Sequence, residues 1–371
     1  MKNNRTFLEK LLDGAEVEWK PLIKVASLTR GRVISKEYLA DNLGDYPVYS
    51  SQTVNNGEIG KINSFDFDGE FVSWTTDGAN AGTVFYRSGK FSITNVCGLI
   101  KIQNNLELNY KFLFYWLSIE AKNHVYSGMG NPKLMSHQME KILIPIPPLS
   151  VQTEIVRILD ALTALTSELT SELTSELTLR QKQYEYYREK LLSFDSLEQL
   201  NMGGAKKKLI DVAKIKNGKD WKHLGEGDIP IYGSGGIMGY VDTYSYDKPT
   251  VLIPRKGTIT NIFYLEEPFW NVDTIYYTEI DTTQILPKYF YHFMKTVDLT
   301  KLDTGSGRPS LTQAILNEIP IFVPSIKEQQ RIVSILDKFE TLTNSITEGL
   351  PLAIEQSQKR YEYYRELLLN F

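Results

Sequence analysis

The chain has 371 residues, of which 42% are hydrophobic and 23% charged, a globular composition that excludes an intrinsically disordered chain. Its length favours two domains over a single core. The net charge of −4 argues mildly against a nucleic-acid partner, and no apolar run is long enough to span a membrane. The N-terminus lacks the apolar core of a signal peptide, and the single cysteine, Cys97, is expected to be buried in a protein of the reducing cytoplasm.

Residues 1–150 are predicted to form the first globular domain. Short β-rich runs (YPVYS, EFVSW, GTVFY and GLIKI) are bounded by Gly, Asn and Asp, and an aromatic helix is expected from Tyr110. This pattern is typical of an α+β domain.

Residues 151–194 are predicted to form one long helix. Apolar residues from Ile155 to Leu177 keep a three-or-four spacing, which places them on one face. The tetrapeptide TSEL occurs three times in this segment, from Thr166 to Leu177. Such a helix would span roughly 64 Å at about 1.5 Å per residue. A stripe of that length should not face water, so a partner helix of similar length is expected.

Residues 195–326 are predicted to form a second α+β domain, in which IPIYG, TVLIP, NIFYL and TIYYTEI take the place of the first β-rich runs. Seven lysines lie between Ala205 and Lys222, so a phosphate-contacting surface is permitted in an acidic chain. The acidic excess belongs to the helices, because residues 151–200 hold nine acids and five bases and residues 327–371 hold seven acids and six bases.

Residues 327–371 repeat the first long helix at a constant offset of 177 residues, with 21 identities in the 43 positions from Gln152 to Phe194. The copies differ most at one place, where the second contains Gly349 and Pro351. Proline inside a helix costs about 3 kcal/mol, so the second helix is expected to kink or restart at 349–351, while the first runs through.

The same offset extends back into the domains, where SGMGNPKL at Ser127 matches TGSGRPSL at Thr304. The chain is therefore predicted to alternate domain, helix, domain and helix. The expected fold class is α+β, with two globular domains separated by two long antiparallel, coiled-coil-like helices and related by a pseudo-twofold internal repeat.

No catalytic or metal-binding motif is found in the sequence. A GxxxxGK[ST] phosphate loop is absent, and the glycine-rich run from Gly233 to Gly239 favours a turn. The four histidines are scattered without ligand spacing, and Asp66, Asp68 and Glu70 lack the lysine of a nuclease site. The chain is therefore not expected to be an enzyme.

The whole arrangement resembles the DNA specificity subunit of type I restriction-modification systems. The resemblance is carried by the paired segments PIPPLSVQTEIVRILD with VPSIKEQQRIVSILD, and QYEYYREKLL with RYEYYRELLL. The TSEL repeat is similar to the spacer repeats of type IC subunits. The resemblance implies two target recognition domains, each reading one half of a bipartite, asymmetric DNA sequence, and helices that set the spacer and dock methyltransferase subunits.

The resemblance also implies the partners. Double-stranded DNA, two methyltransferase (M) subunits and two restriction/translocase (R) subunits are expected, with no membrane contact. This chain would bind no cofactor, since S-adenosylmethionine, ATP and magnesium belong to the partner subunits. It would be the non-catalytic subunit of a type I site-specific deoxyribonuclease and adenine-N6 DNA methyltransferase complex.

The repeat predicts a relation to DNA geometry. One TSEL unit lengthens a helix by about 6 Å and rotates its end by about 40°. One base pair advances DNA by about 3.4 Å and rotates it by about 35°. The rotation from one TSEL unit agrees with the rotation from one base pair, whereas the two lengths differ. Removing or adding one unit is therefore expected to change the unspecified spacer, by one base pair.

Polar side chains in the loops between β-runs are the candidates for DNA contact, because such groups bind base edges while Lys and Arg anchor phosphates. In the first domain they are Ser50, Gln52, Asn55, Thr75, Thr76, Asp77, Asn80 and Arg87. In the second they are Lys216, Lys219, Ser234, Arg255, Lys256, Thr258, Asn261 and Arg308. The recurring Gly-x-Gly-x-Pro loops at Gly128 and Gly305 are expected to serve architecture or backbone contact.

Two other functions fit parts of the pattern. A self-sufficient nuclease or methyltransferase would carry its own specificity modules, but it would need the motifs that are absent. A scaffold with two β-rich domains on a coiled stalk could bind proteins instead of DNA. Salt-dependent retention of duplex DNA distinguishes that scaffold from a DNA-binding subunit.

Overall fold

The computed structural model describes residues 6–128, 130–199, 204–305, 307–345 and 348–371. The chain forms two compact units: unit 1 comprises Met1–Thr170 and Gln356–Phe371, and unit 2 comprises Ser171–Glu355. Each unit therefore contains part of both long helical segments. The boundaries drawn from the sequence at 150, 194 and 326 divide the chain by element type, whereas the compact units divide both helical segments.

The strands of unit 1 are β1 (Glu18–Pro21), β2 (Ala26–Arg30), β3 (Leu43–Tyr49), β4 (Glu58–Ile62), β5 (Phe67–Thr75), β6 (Val84–Ile93), β7 (Cys97–Ile102) and β8 (Leu143–Ile146). Those of unit 2 are β9 (Ala205–Lys208), β10 (Ala213–Lys216), β11 (Ile229–Gly233), β12 (Gly236–Val241), β13 (Thr250–Pro254), β14 (Phe263–Leu265), β15 (Trp270–Asn271), β16 (Ile275–Ile280) and β17 (Pro320–Val323).

The helices are α1 (Phe7–Leu12), α2 (Leu22–Val25), α3 (Lys36–Asp41), α4 (Tyr110–Glu120), α5 (Ser136–Met139), α6 (Leu149–Leu192), α7 (Phe194–Gln199), α8 (Leu209–Val212), α9 (Pro287–Met294), α10 (Gln313–Asn317), α11 (Ile326–Asn344) and α12 (Leu350–Leu369). Short 3-10 helices lie at Val54–Gly57, Ala121–His124 and Leu299–Leu302. No helix of the described segments combines the length and apolar character needed to cross a membrane.

The two units share one sheet topology. Unit 1 has a six-stranded sheet in the order β2-β7-β5-β6-β3-β4, and β1 pairs with β8. In unit 2 the equivalent sheet is divided into β10-β16-β13-β14 and β15-β11-β12, and β9 pairs with β17. The division arises because the equivalent of β6 is interrupted at Pro268, whose missing N–H cannot join a ladder. The predicted α+β repeat is confirmed.

Each unit buries an aromatic helix against its sheet, as the sequence predicts. In unit 1, Phe112 and Leu113 of α4 are buried near Trp74 of β5, whose indole Nε1 donates to the Leu134 carbonyl at 2.9 Å. In unit 2, Tyr289 and Phe290 of α9 are buried in the equivalent cluster. Cys97 is also buried, as predicted.

A buried glutamine at the start of each long helical segment joins that segment to its domain. Gln152 Oε1 accepts from Asn109 N at 2.9 Å, and its Nε2 donates to the carbonyls of Glu107 at 2.8 Å and Pro147 at 2.9 Å. Gln329 makes the same three bonds, accepting from Leu286 N at 2.7 Å. Both side chains are fully buried. The 177-residue repeat therefore preserves hydrogen bonds as well as sequence.

Segments of the two long helices pack in opposite directions within each unit. In unit 1, Thr163 Oγ1 of α6 lies 3.1 Å from the Tyr361 hydroxyl of α12. Leu368 and Leu369, at the end of α12, share a core cluster with Ile155, near the start of α6. In unit 2, Tyr187 of α6 stacks on Phe339 of α11, with ring centroids 5.7 Å apart. These pairs follow the predicted antiparallel arrangement.

The apolar stripe of α6 is covered at its ends but not in its middle. Leu165 is 62% exposed and Leu169 is 37% exposed, which contradicts the expectation that the whole stripe is packed. The cover changes from α12 in unit 1 to α11 in unit 2. The second helical segment is interrupted between these two helices, since α11 ends at Asn344 and α12 begins at Leu350.

Gly349 explains where the second helical segment is interrupted. Its φ is +90°, and a Cβ at this position would lie 2.7 Å from the Thr341 carbonyl oxygen. Only glycine accommodates both conditions. Pro351 then lies in the first turn of α12, where a missing N–H costs no helical hydrogen bond. The break thus begins before the proline, since α11 already ends at Asn344.

Candidate nucleic-acid interface

In unit 1, two loops join at the end of β5. Gly78 N donates to the Pro132 carbonyl at 3.0 Å, and Leu134 N donates to the Thr76 carbonyl at 2.8 Å. The chain after β5 is therefore held against the Gly-x-Gly-x-Pro loop. We call residues 76–80 and 131–134 the unit 1 platform.

Unit 2 builds the same arrangement at the end of β13. Gly257 N donates to the Pro309 carbonyl at 3.0 Å, and Leu311 N donates to the Arg255 carbonyl at 2.8 Å. Residues 255–261 and 308–311 form the unit 2 platform. Gly78 and Gly257 have φ values of +87° and +84°, a region that favours glycine. The repeated glycine–proline loops thus serve the architectural role expected from the sequence.

A third segment joins each platform through an asparagine side chain. Asn80 Nδ2 donates to the Ser51 carbonyl at 2.9 Å, and Asn261 Nδ2 donates to the Ser234 carbonyl at 3.1 Å. The segment after β3 in unit 1, and the turn after β11 in unit 2, are thereby fixed beside the platform. Asn80 and Asn261 were predicted as DNA contacts, and here their amide groups have a structural role.

The structure brings most of the predicted unit 1 residues to this region. Ser50 accepts a hydrogen bond from Thr94 Oγ1 at 2.9 Å, and the Gln52 side chain donates to the Glu58 carbonyl. Asn55 is exposed with a φ of +51°, and Asp77 is half-buried on the platform. These residues present polar groups on and beside the platform.

Three predicted unit 1 residues are buried instead of displayed. Thr75 and Thr76 are fully buried, and Thr75 Oγ1 donates to the Asn80 carbonyl. Arg87 is only 2% exposed. Their side chains belong to the interior beneath the loops, where they support residues that reach the surface.

Arg87 lies under the segment that follows β3. Its guanidinium stacks on the Tyr49 ring at 3.6 Å, and its Nε donates to Ser73 Oγ at 3.1 Å. A Cβ on Gly57 would lie 3.1 Å from Arg87 Nη2, so the loop backbone packs directly on this side chain. Burial lowers the pKa of Arg87 to about 10. Arg87 therefore positions the loop.

The structure also brings together six of the predicted unit 2 residues. They lie on the platform or on the turn beside it: Ser234, Arg255, Lys256, Thr258, Asn261 and Arg308. Of the other two, Lys216 pairs with Glu279 at 3.5 Å, and the Lys219 backbone N–H donates to the Asn271 carbonyl at 2.8 Å.

Equivalent positions on the two platforms differ in charge. Thr76 and Asp77 of unit 1 correspond to Arg255 and Lys256 of unit 2, because the same bonds to the second loop fix both pairs. Asn131 corresponds to Arg308 in the repeated loops. Lys256 Nζ lies 3.9 Å from Asp273, so its charge is only partly balanced by an ion pair. The unit 2 platform is cationic, whereas the unit 1 platform carries one acid, Asp77, and one base, Lys133.

One group of potential metal ligands occurs among the described residues, comprising His292, Asp337 and Glu340. His292 Nε2 lies 2.8 Å from Asp337 Oδ1, and Lys288 Nζ lies 2.7 Å from Asp337 Oδ2. The lysine ammonium supplies the positive charge that a cation would supply. In unit 1, Tyr115 and Lys111 bind Asp160 in the same way, so the group fastens the aromatic helix to the long helix.

Sequence reasoning missed the exposed apolar residues beside the unit 2 platform, Ile237 and Met238, which are 52% and 57% exposed. The glycine-rich run before them correctly predicts a turn, which joins β11 to β12 at Ser234 and Gly235. Two neighbouring apolar residues that follow such a turn, with a glycine on each side, were the available signal.

Comparisons with known proteins agree on one family. The family model described as "Type I restriction modification DNA specificity domain" matches residues 15–179 and 203–356. A putative type I restriction enzyme specificity subunit of Haemophilus influenzae, S.HindORF215P, is 45% identical over 396 residues and covers 100% of both chains. A putative type I specificity subunit of Mycoplasma pneumoniae, S.MpnORF507P, is 34% identical and covers 94% of this chain and 96% of its own length.

Solved structures share the fold. A type I restriction-modification S subunit from M. genitalium covers 100% of this chain and 96% of its own, with a TM-score of 0.53 and 21% identity. A chain from a study of assembly and conformational transition of the type I restriction-modification system covers 96% of this chain and 97% of its own, with a TM-score of 0.68 and 15% identity.

Proposed function

The chain belongs to the type I restriction-modification DNA specificity family, and from this premise we propose that it is the sequence-specific DNA-binding subunit of a type I restriction-modification complex. Each unit binds one half of a bipartite, asymmetric target. The long helices set the spacer between the halves and dock methyltransferase subunits.

The observation that carries this proposal is the repeated platform. Identical backbone bonds hold Gly78 against Pro132 and Gly257 against Pro309. The side chains displayed at equivalent positions nevertheless differ, with Asp77 opposed to Lys256. A fixed frame with exchangeable side chains suits two readers of different base sequences, because specificity depends on the groups presented to base edges.

We propose that the complex contains double-stranded DNA, two M subunits and two R subunits. The chain itself is a non-catalytic subunit, and S-adenosylmethionine, ATP and magnesium are bound by the partner subunits. We also propose that the chain acts in the cytoplasm, where its DNA substrate would be methylated.

The TSEL repeat supports the role of α6 as a spacer. The repeat is helical throughout, and the division between the two compact units, at Thr170 and Ser171, falls inside it. Four residues added at this point preserve the helix and its approximate face. We propose that one unit more or less shifts the unspecified DNA spacer by one base pair.

The test uses the chain assembled with its M subunits. Methylated adenines in the host genome, mapped with and without this gene, define the target. Duplexes of graded spacer length are then methylated by the wild-type complex and by a complex lacking residues 170–173. We expect the deletion to shift the preferred spacer by one base pair and to leave both half-sites unchanged. An unchanged spacer preference would contradict the spacer role.

Two controls address the subunit assignment. The chain without M subunits is incubated with S-adenosylmethionine and DNA, and no methylation is expected. Equilibrium binding of target and scrambled duplexes by the complex, repeated over a range of salt concentrations, should give a preference for the target and a linear fall of log K with log salt. Equal binding of both duplexes would contradict sequence-specific recognition.

A further inference from the structure

A β-bulge exposes two consecutive apolar side chains next to the unit 2 platform. In the β11–β12 pair, Tyr232 opposes Ile237 and Ile231 opposes Gly239, which leaves Met238 as the extra residue. Neighbouring residues of a regular strand point to opposite faces, and a bulge breaks that alternation. Ile237 and Met238 are consequently exposed together, at 52% and 57%.

This apolar pair lies on an edge strand. β12 pairs with β11 alone in the order β12-β11-β15. Exposed apolar edge strands favour unwanted association, and proteins usually protect them with charge or cover. The six residues of β12 (GIMGYV) contain no charged side chain. Retention of such a surface is explained if a partner covers it.

The apolar pair is continuous with the cationic platform. A Cβ on Gly233 would lie 2.5 Å from Met238 Sδ and 3.3 Å from Thr274 Oγ1. The Thr274 carbonyl in turn accepts the backbone N–H groups of Arg255 and Lys256, at 2.9 and 3.2 Å. One surface therefore combines cations with exposed methyl and thioether groups.

The turn after β11 makes a second connection. A Cβ on Gly257 would lie 3.4 Å from Ser234 Oγ and 3.2 Å from Arg308 Nη2. Ser234 belongs to the turn, and Arg308 to the second platform loop. The cations and the apolar pair thus surround one turn, so a single ligand of polyanionic and partly apolar character can contact both.

We propose that Ile237 and Met238 contact the C5-methyl group of a thymine in the half-site bound by unit 2. This inference rests on the proposed function. The cations Arg255, Lys256 and Arg308 complement phosphates, and the thymine methyl is the apolar group that the major groove offers beside them. Met is suited to the contact because its unbranched side chain adapts to the surface that it covers.

The equivalent segment of unit 1 recognises its half-site differently. Residues 50–57 present the amides of Gln52, Asn55 and Asn56, which donate and accept hydrogen bonds, together with one exposed apolar side chain, Val54. Unit 1 has the same bulge, since Val48 opposes Gly60 and Tyr49 opposes Glu58, but the residues there are Glu58 and Ile59, and both are half-buried. Two exposed apolar side chains at the bulge are thus a feature of unit 2, and the response to thymine methyl groups that these two side chains cause is expected in the half-site bound by unit 2.

The experiment replaces each thymine of the target in turn by deoxyuridine, which removes only the methyl group. The wild-type complex should methylate or bind the substituted duplex about fourfold less well at one or two thymines of a single half-site, the factor expected for one buried methyl group. With Met238→Ala and Ile237→Ala, the intact target should be weakened by a similar factor, and the same deoxyuridine substitutions should have little further effect.

Ile210→Ala is the matched control, since Ile210 is also 52% exposed in unit 2 but lies on α8. This variant should retain the full deoxyuridine effect. If no thymine of either half-site responds, or if Met238→Ala and Ile237→Ala respond as strongly as the wild type, the inference is overturned. A wild-type complex that does not distinguish target from scrambled duplex would instead overturn the proposed function.

Discussion

The segment that joins β3 to β4 in unit 1 and the segment that joins β11 to β12 in unit 2 start from equivalent strands but differ in length and chemistry. The first is a loop of eight residues, 50–57, which is polar except for the exposed Val54 and in which Asn55 and Asn56 have φ values of +51° and +54°. The second is the two-residue turn of Ser234 and Gly235. An asparagine amide fixes both segments at the same place.

This difference shows which parts of a unit can vary in sequence. Bonds that shape the frame recur in both units, down to the buried glutamines Gln152 and Gln329. Groups displayed on the frame change in charge, size and polarity. Since the frame carries the stability of each unit, the displayed groups can change without altering the fold.

The largest expected effect tests the shared frame. Gln152→Ala and Gln329→Ala each remove the partner of one buried carbonyl and of a half-buried N–H and carbonyl, at about 1 kcal/mol for each group. Each variant should destabilise its own unit by about 3 kcal/mol. Hydrogen exchange of α4 and α9 measures the two units separately, which a global unfolding curve would not.

Gln358→Ala is the control for these variants, because this exposed glutamine bonds only to Glu362, at 3.0 Å, on the same helix. It should leave the protection of both helices unchanged. A large loss in one unit with none in the other would show that the frames are not energetically equivalent.

The next prediction concerns the different charges of the two platforms. Changing Arg255, Lys256 and Arg308 together to Gln should lower the slope of log K against log salt by about three, and weaken DNA binding about a hundredfold at about 0.15 M salt. Asp77→Asn removes a negative charge from unit 1 and should slightly strengthen the sequence-independent binding of scrambled duplex. Equilibrium binding over a salt series measures both. An unchanged slope in the triple variant would show that the cationic platform does not contact the DNA phosphates.

Gly78→Ala and Gly257→Ala test the equivalent glycines of the two platforms. Both positions have positive φ, so each alanine should cost about 1 kcal/mol of unit stability. A Cβ on Gly78 meets no atom within 4 Å, whereas a Cβ on Gly257 meets Arg308 Nη2 at 3.2 Å. Only Gly257→Ala should therefore also weaken DNA binding. Equal DNA affinity of the two variants would contradict a role for Arg308.

The smallest expected effect involves the ion pairs that fasten the aromatic helices. Burial opposes ionisation of Asp337, yet the bonds from His292 and Lys288 lower its pKa below the ordinary 3.8. A depressed carboxyl pKa stabilises the fold above the ordinary value, and this contribution is lost as the pH falls through the folded pKa. Asp337→Asn should therefore cost about 1 kcal/mol at pH 7 and progressively less below pH 3.8.

Asp160→Asn in unit 1 is the matched variant, since Asp160 binds Lys111 at 2.6 Å and Tyr115 at 2.7 Å. Thermal unfolding at pH 7 and hydrogen exchange of α9 and α4 give the comparison. We expect a larger cost for Asp337→Asn, because its partner His292 is fully buried, whereas Tyr115, the partner of Asp160, is 4% exposed. A cost for Asp337→Asn that is unchanged at low pH would exclude the ion pair.

The sequence predicts the repeat, the fold class and the helices, because a constant offset of 177 residues aligns Gln152 with Gln329 and the helical segments with each other. It fails for the middle of the α6 stripe, where periodicity indicates an apolar face but not what covers it. Leu165 shows the limit, since the same spacing that buries Ile155 leaves Leu165 exposed.

The interface is less predictable, because its equivalences depend on tertiary hydrogen bonds and not on one offset. Gly78 and Gly257 differ by 179 positions, and Ser51 and Ser234 by 183. Insertions of different length hide these pairs from alignment at 177. The sequence also does not show which polar side chains are buried. Arg87 is predicted as a DNA contact, but in the structure it is buried and stacks on Tyr49. The individual DNA contacts stay predictions.

The division of the chain fixes an order of events during protein synthesis. Unit 2 is one uninterrupted stretch, Ser171–Glu355, whereas unit 1 needs Gln356–Phe371 as well as its own first 170 residues. Leu368 and Leu369, both less than 5% exposed, complete its core. Unit 1 can therefore be completed only after all of unit 2 has been synthesised, whereas unit 2 needs no residue beyond Glu355. Until Gln356–Phe371 has been synthesised, the core of unit 1 lacks these two leucines and exposes apolar surface. Chaperones would be needed for this incompletely folded chain.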